Sequence, residues 1–210
     1  MPLSLAVCCL MLCSCQSAYY GAMEKFGVHK RDILVDRVED AREAQEEAKE
    51  QFESAFEEFL AVSEVDVGEL KAVYDRLQSA FDDSEAKAKA VRNRIEAIED
   101  VSEALFEEWE DELDDYTSRD LREASENQLE STRELSENLV EAMDRAASKM
   151  EPVLNAFRDQ VLFLKHNLNA QAIAALNETS LALREEVEVL IEQMEASIDE
   201  ANSFVAQMRS

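Results

Sequence analysis

The sequence predicts an all-α fold, an elongated antiparallel coiled-coil helical bundle of about four long helices. Three observations lead there. The 210 residues include only three Gly and two Pro, too few turn formers for a sheet-rich or loop-rich domain. Apolar residues make up 46% of the chain and recur at steps of three and four. Charged residues, 33% of the chain, fill the positions between them, so a composition that could remain disordered is strictly patterned instead.

The first predicted helix carries Leu34, Val38, Ala41, Gln45, Ala48, Phe52, Ala55, Phe59 and Val62, steps that alternate four and three with Gln45 as the one polar exception. This is a heptad seam. It should end near Ser63, where Asp66 can cap the next helix with Glu69 three residues on. The second seam runs Leu70, Tyr74, Leu77, Phe81, Ser84, Ala88, Val91, Ile95, Ile98, Ser102, Leu105 and Trp109, then steps to Leu113 and Tyr116. Two successive steps of four there mark a stutter, which locally unwinds a coiled coil.

Thr117 or Ser118 can cap a third helix seamed by Leu121, Leu135, Leu139, Met143, Ala146, Met150, Val153, Phe157, Val161, Leu164 and Leu168. Its first turns place Ser125, Gln128 and Thr132 where a core would want aliphatic residues. Pro152 removes a backbone donor and crowds the carbonyl of Ser148, so a kink is expected, with a break as the alternative. "KHNLNAQ" is the next interruption, and Asn169 can cap a fourth helix seamed by Ile173, Leu176, Ser180, Leu183, Val187, Leu190, Met194, Ala201 and Met208. One rod continuing through Asn167 and Asn169 is the alternative. Helices of about 40, 50, 50 and 40 residues give rods of roughly 75 Å. Folded at three turns, the chain is expected to place Leu34, Ile95, Leu139 and Ile198 in one layer, and Phe52, Leu77 and Phe157 in another.

All four cysteines lie between Cys8 and Cys15. Met1 to Leu12 is mostly apolar, too short for the roughly 20 residues that cross a bilayer, but of the length of a secretion-signal core. It ends at Leu12-Cys13-Ser14-Cys15, which resembles the bacterial lipobox: an aliphatic residue three before the cysteine and a small residue just before it. Cys15 is therefore the expected lipidation site, its thiolate being the nucleophile that takes the lipid. Cys13 fits less well, since Leu12 before it is not small. The run departs from the pattern in having no Lys or Arg ahead of it. A cytosolic cluster of oxidisable or metal-binding thiols is the alternative. The expected organisation is a signal peptide over residues 1–14, a lipid anchor and membrane-proximal tether over 15–31, and the bundle over 32–210. By resemblance to Gram-negative lipoproteins, where Asp after the anchor retains a protein at the inner membrane, Gln16 directs this one to the outer membrane, facing the periplasm.

With 48 acidic and 21 basic residues the net charge is −27. That charge repels nucleic acid phosphates and anionic lipid headgroups, so nucleic acid is not an expected partner. "EEWEDELDDY", Glu107 to Tyr116, holds seven acids in ten residues. It lacks the glycine and spacing of an EF-hand loop, so a solvated helix face is expected rather than a cation site. Lys30 and Arg31 are expected opposite Glu99 and Asp100. Neither His29 nor His166 has Glu three residues before it, so the Glu-x-x-His pairs of a di-metal bundle are missing, and the two histidines are expected at opposite ends. No Gly-x-x-x-x-Gly-Lys phosphate loop occurs. No catalytic, cofactor-binding or metal-binding residue is expected, and no small-molecule substrate.

"YYGAMEKFGVHKRDILVDRVEDAREAQEEAKEQF" and "FRDQVLFLKHNLNAQAIAAL" resemble an uncharacterised family of Gram-negative coiled-coil lipoproteins known as a domain of unknown function. The resemblance covers nearly the whole chain after Cys15. It implies envelope location and helical architecture, and carries no activity and no site residues. The expected role is structural or adaptor-like. The expected contacts are the membrane, through the lipid, and an unidentified envelope protein or a second copy. A membrane-remodelling protein lying along a bilayer is the alternative, opposed by the charge, and an enzyme is disfavoured. The seam's polar positions Gln45, Ser84 and Ser102 suggest a core open to a partner helix, or else residues that fix register.

Overall fold

The computed structural model describes residues 29–62, 67–167 and 170–209. Among these are four long helices: α1 (Lys30–Ala61), α2 (Leu70–Glu112), α3 (Arg119–His166) and α4 (Ala170–Met208). The fold is an all-α bundle. Short 3-10 turns at Val67–Glu69 and Leu113–Asp115 flank α2. Each helix packs on its sequence neighbours, and α1 closes the ring against α4. Neighbours are antiparallel, one number rising as the other falls along each set of ion pairs: Asp40–Arg94 and Glu58–Arg76 between α1 and α2, Glu85–Arg158 and Glu110–Arg133 between α2 and α3, and Glu39–Arg209 and Lys49–Glu195 between α1 and α4.

The periodic apolar residues form one continuous core. Phe157 of α3 joins that core across the diagonal of the bundle: its ring stacks on Phe59 of α1 at 4.3 Å and faces Phe52 at 6.3 Å. Leu77 of the same expected layer is also buried. Leu34, Ile95, Leu139 and Ile198 are all buried too, but they do not form one layer. The Asp40–Arg94 pair sets Ile95 about a turn and a half beyond Leu34 along α1. The bond between Gln45 and Ser197 sets Ile198 further off still, about 15 Å from the level of Leu34. One cause is the first turn. The backbone tightens through Val67–Glu69 and α2 begins only at Leu70, later than a cap at Asp66 would start it. Asp66 itself lies outside the described residues.

The other turns differ in detail. Ser118 caps α3, its hydroxyl accepting from the Leu121 amide at 3.4 Å. The expected stutter is the end of α2 instead: the helix stops at Glu112, Leu113 is buried on the 3-10 turn, and Tyr116 is 41% exposed. Leu121, expected in the third seam, is 61% exposed, because the first turns of α3 reach past the ends of α1 and α4. At this tip Ser125 accepts from the Trp109 indole at 2.8 Å, which explains a serine at a seam position. Leu129, rather than Gln128, carries the core there. The α3 helix runs unbroken through Pro152, which is exposed, so the missing donor falls on the solvent side. Asn167 leaves helical geometry, with φ −133° and ψ 64°, so α3 does not continue through it; Asn169 lies outside the described residues.

Truncating Phe157 to Ala removes a ring with aromatic neighbours on two sides and should cost about 3–5 kcal/mol. Glu141→Ala, which removes only an exposed pair with Arg145, should cost less than about 0.5 kcal/mol. Urea unfolding of both variants checks this; comparable losses would mean that the Phe157 ring does not hold the core.

Candidate functional site

The most site-like feature is an open groove of about 590 Å³ between the outer faces of α2 and α3. On α2 the spacing of Glu99, Glu103, Glu107 and Glu110 sets four carboxylates along one face, and Glu137 and Glu141 answer from α3. The floor is Phe106, Val140 and two buried serines, Ser102 and Ser136, whose hydroxyls bond each other at 2.9 Å. Arg133 is the one cation in the lining. It lies 5.1 Å above the Phe106 ring and pairs with Glu110 at 2.8 Å. Burial against the wall, then the negative charges of Asp144, Glu96 and Asp100, push the Glu99 carboxyl above its usual range.

The acidic run that follows is largely solvated, with ion pairs at Glu108, Glu110 and Asp114. Lys30 pairs with Glu108 at 2.9 Å rather than with Glu99 or Asp100, because α2 continues well past the start of α1. Arg31 is taken up elsewhere: its guanidinium donates to the Met208 carbonyl, tying the start of α1 to the end of α4. His29 precedes α1 and His166 ends α3, at opposite ends of the bundle. Among the described residues no three His, Cys, Asp or Glu side chains come together as a metal-holding group.

The polar seam positions do not open the core. Gln45 is fully buried, and its Oε1 accepts from Ser197 at 3.0 Å. Ser84 is also fully buried, donating to the Ala80 carbonyl at 2.7 Å and facing Gln51. Ser102 is closed by Ser136. Thr132, at the weakly apolar start of α3, bonds the Gln128 carbonyl at 2.8 Å. The gaps expected from sequence are filled by the chain's own partners, because each polar residue meets a hydroxyl, amide or carbonyl within the bundle. At Gln45 a cost remains: its Nε2 has no partner, and an orphaned buried donor costs about 1–3 kcal/mol. A polar pair that fits only one alignment of two helices is a register device.

Cys15, Cys13, Cys8, Cys9 and Gln16 lie outside the described residues. No described helix is long and apolar enough to cross a membrane.

Because Glu99 has a raised pKa in the folded chain, folding favours its protonated form. Its ionisation therefore opposes stability once the pH rises through the folded pKa, and that penalty fades as the pH falls toward the ordinary carboxylate value near 4.5. Glu99→Gln should raise the melting temperature slightly at pH 7 and leave it unchanged well below pH 4.5. Thermal unfolding at the two pH values checks this, and equal gains at both would remove the titration as the cause.

No curated protein and no solved structure matches the chain significantly. The model of one family, described as Protein of unknown function (DUF2959), matches residues 19–208, nearly all of the chain beyond the cysteine-rich end. The chain belongs to that family.

Proposed function

We propose that this is a lipoprotein of the Gram-negative outer membrane, anchored through Cys15, whose periplasmic bundle serves as a structural or adaptor rod. The observation that carries the reading is the confinement of all four thiols to residues 8–15, at the end of an apolar run that closes on Leu12-Cys13-Ser14-Cys15. On this reading Cys15 bears the lipid, and Cys8, Cys9 and Cys13 leave with the signal. The anchor then joins the bundle at the α1 end, where Lys30 and Arg31 are fastened to α2 and α4. At about 1.5 Å per residue, the 48 residues of α3 give a reach of roughly 70 Å.

The rod acts by holding rather than by chemistry. Its inward side chains are aliphatic or aromatic apart from a few polar residues, most of them bonded to one another. Its acidic groove has no described histidine, cysteine or hydroxyl placed as a nucleophile beside a base, since Ser102 and Ser136 are spent on each other.

Cells given labelled palmitate should incorporate it into the wild-type chain and into Cys13→Ala, but not into Cys15→Ala. Equal label in wild type and Cys15→Ala would end the lipoprotein reading.

A further inference from the structure

Charge is spread unevenly over the bundle. Ion pairs tie α1 to α2 through Asp40 and Arg94, α2 to α3 through Glu85 and Arg158, and α1 to α4 through Lys49 and Glu195. Among the described residues, none joins α3 to α4. The sequence is bare there as well. A third of the chain is charged, yet from Val161 to Leu183 only Lys165 and Glu178 are, and they cancel. On this outer face Leu162 is 54% exposed and Phe163 41%. They lie beside a shallow groove of about 320 Å³ between α3 and α4, whose wall includes Asp159, Phe163, Ala175 and Thr179. Two large apolar side chains left in water in a stretch this poor in charge single out the face as a contact candidate.

We propose that this face binds a second copy of the same chain, about a two-fold axis that crosses α3 near Leu162. Two features select a second copy. The first is the charge balance. With a net charge of −27, most other faces would bring many carboxylates of two copies together, whereas this one carries only Asp159, Glu178 and Lys165, a single net negative charge, and lets two copies approach. The second is self-complementarity. Asp159 and Lys165 are both exposed and lie three residues to either side of Leu162. A two-fold axis at Leu162 exchanges those levels, so Lys165 of each copy faces Asp159 of the other. Glu178 is exposed on α4 beside Thr179, which lines the groove with Asp159, and Glu178 supplies a second carboxylate to that lysine. Leu162 of the two copies meets on the axis and leaves water, while Phe163 flanks the contact on the groove side of each copy. The lysine and the acids fix the antiparallel direction of the contact, and Leu162 supplies its apolar centre.

The inference names a partner for the adaptor role proposed above, but the contact itself does not need the lipid, so this test and the palmitate test fail independently. The full chain is studied by sedimentation equilibrium in a density-matched non-ionic detergent at about 0.15 M salt. The wild type should approach twice its monomer mass as concentration rises. Leu162→Glu and Lys165→Glu should each weaken association by about tenfold or more, since each sets like charges against one another at the contact. Glu123→Lys, at the far end of α3, should leave it unchanged. Combining Lys165→Glu with Asp159→Lys and Glu178→Lys should restore the dimer, a rescue that a folding defect cannot mimic; helical content by circular dichroism accompanies each variant. A wild type that stays at its monomer mass throughout overturns the proposal. So does a dimer that Leu162→Glu leaves intact, which would place the contact elsewhere, and so does a charge exchange that fails to restore association.

Discussion

The contact between α1 and α4, where Gln45 meets Ser197 across 152 residues of sequence, decides whether this chain is one rod or two independent hairpins. Each helix presents an apolar stripe that a single neighbour cannot cover. Only when α1 closes on α4 do Phe52, Phe59 and Phe157 meet across the diagonal and leave water. Arg31 secures that closure at one end by bonding the Met208 carbonyl, and Arg209 pairs with Glu39 beside it. In the middle the Gln45–Ser197 bond is buried among apolar side chains, where sliding α4 by one turn would leave both groups unpaired. The unpartnered Nε2 of Gln45 shows that this alignment is held at some cost in stability.

Electrostatics then divides the surface. Many of the basic residues lie in ladders between helices, as Lys87 does with Glu47 and Arg92 with Glu151. Each such exposed pair contributes at most about 1 kcal/mol, so the ladders favour an alignment more than they stabilise the fold. The acids in excess face outward, and along α2 and α3 partial burial, followed by the repulsion of Asp144, Glu96 and Asp100, raises the Glu99 carboxyl. The uncharged stretch where α3 gives way to α4 stands apart from this pattern. A rod made for solubility alone has no need of Leu162 and Phe163 in water.

The helices were legible in the sequence because heptad spacing is a local signal. Nearly every aliphatic residue assigned to a seam and lying among the described side chains is buried, from Leu34 to Met208. The exceptions are informative. Leu121 fits the spacing but is exposed, because periodicity does not record whether the opposite helices reach that far. Register was not legible. A shift of a few residues in one turn moves every level beyond it, so Leu34, Ile95, Leu139 and Ile198 were each assigned correctly to the core and wrongly to a common layer. The partners of Lys30 and Gln45 were missed for the same reason: Glu108 and Ser197 become their neighbours only once the turns are fixed. Of the candidate groove, its acidity was visible in the alternating glutamates of α2. The Ser102–Ser136 floor was not, since a polar seam residue reads equally as a gap or as half of a pair.

Native-state hydrogen exchange tests the closure most directly. If α1 and α4 complete one cooperative core, the central amides of all four helices, around Gln45, Ile95, Met150 and Leu190, should open with a single common free energy that falls together on Phe157→Ala. Amides between Tyr116 and Leu121, at the overhanging tip, should exchange far faster. Loss of protection in α3 and α4 while α1 and α2 stay protected would show two separate hairpins and contradict the closed rod.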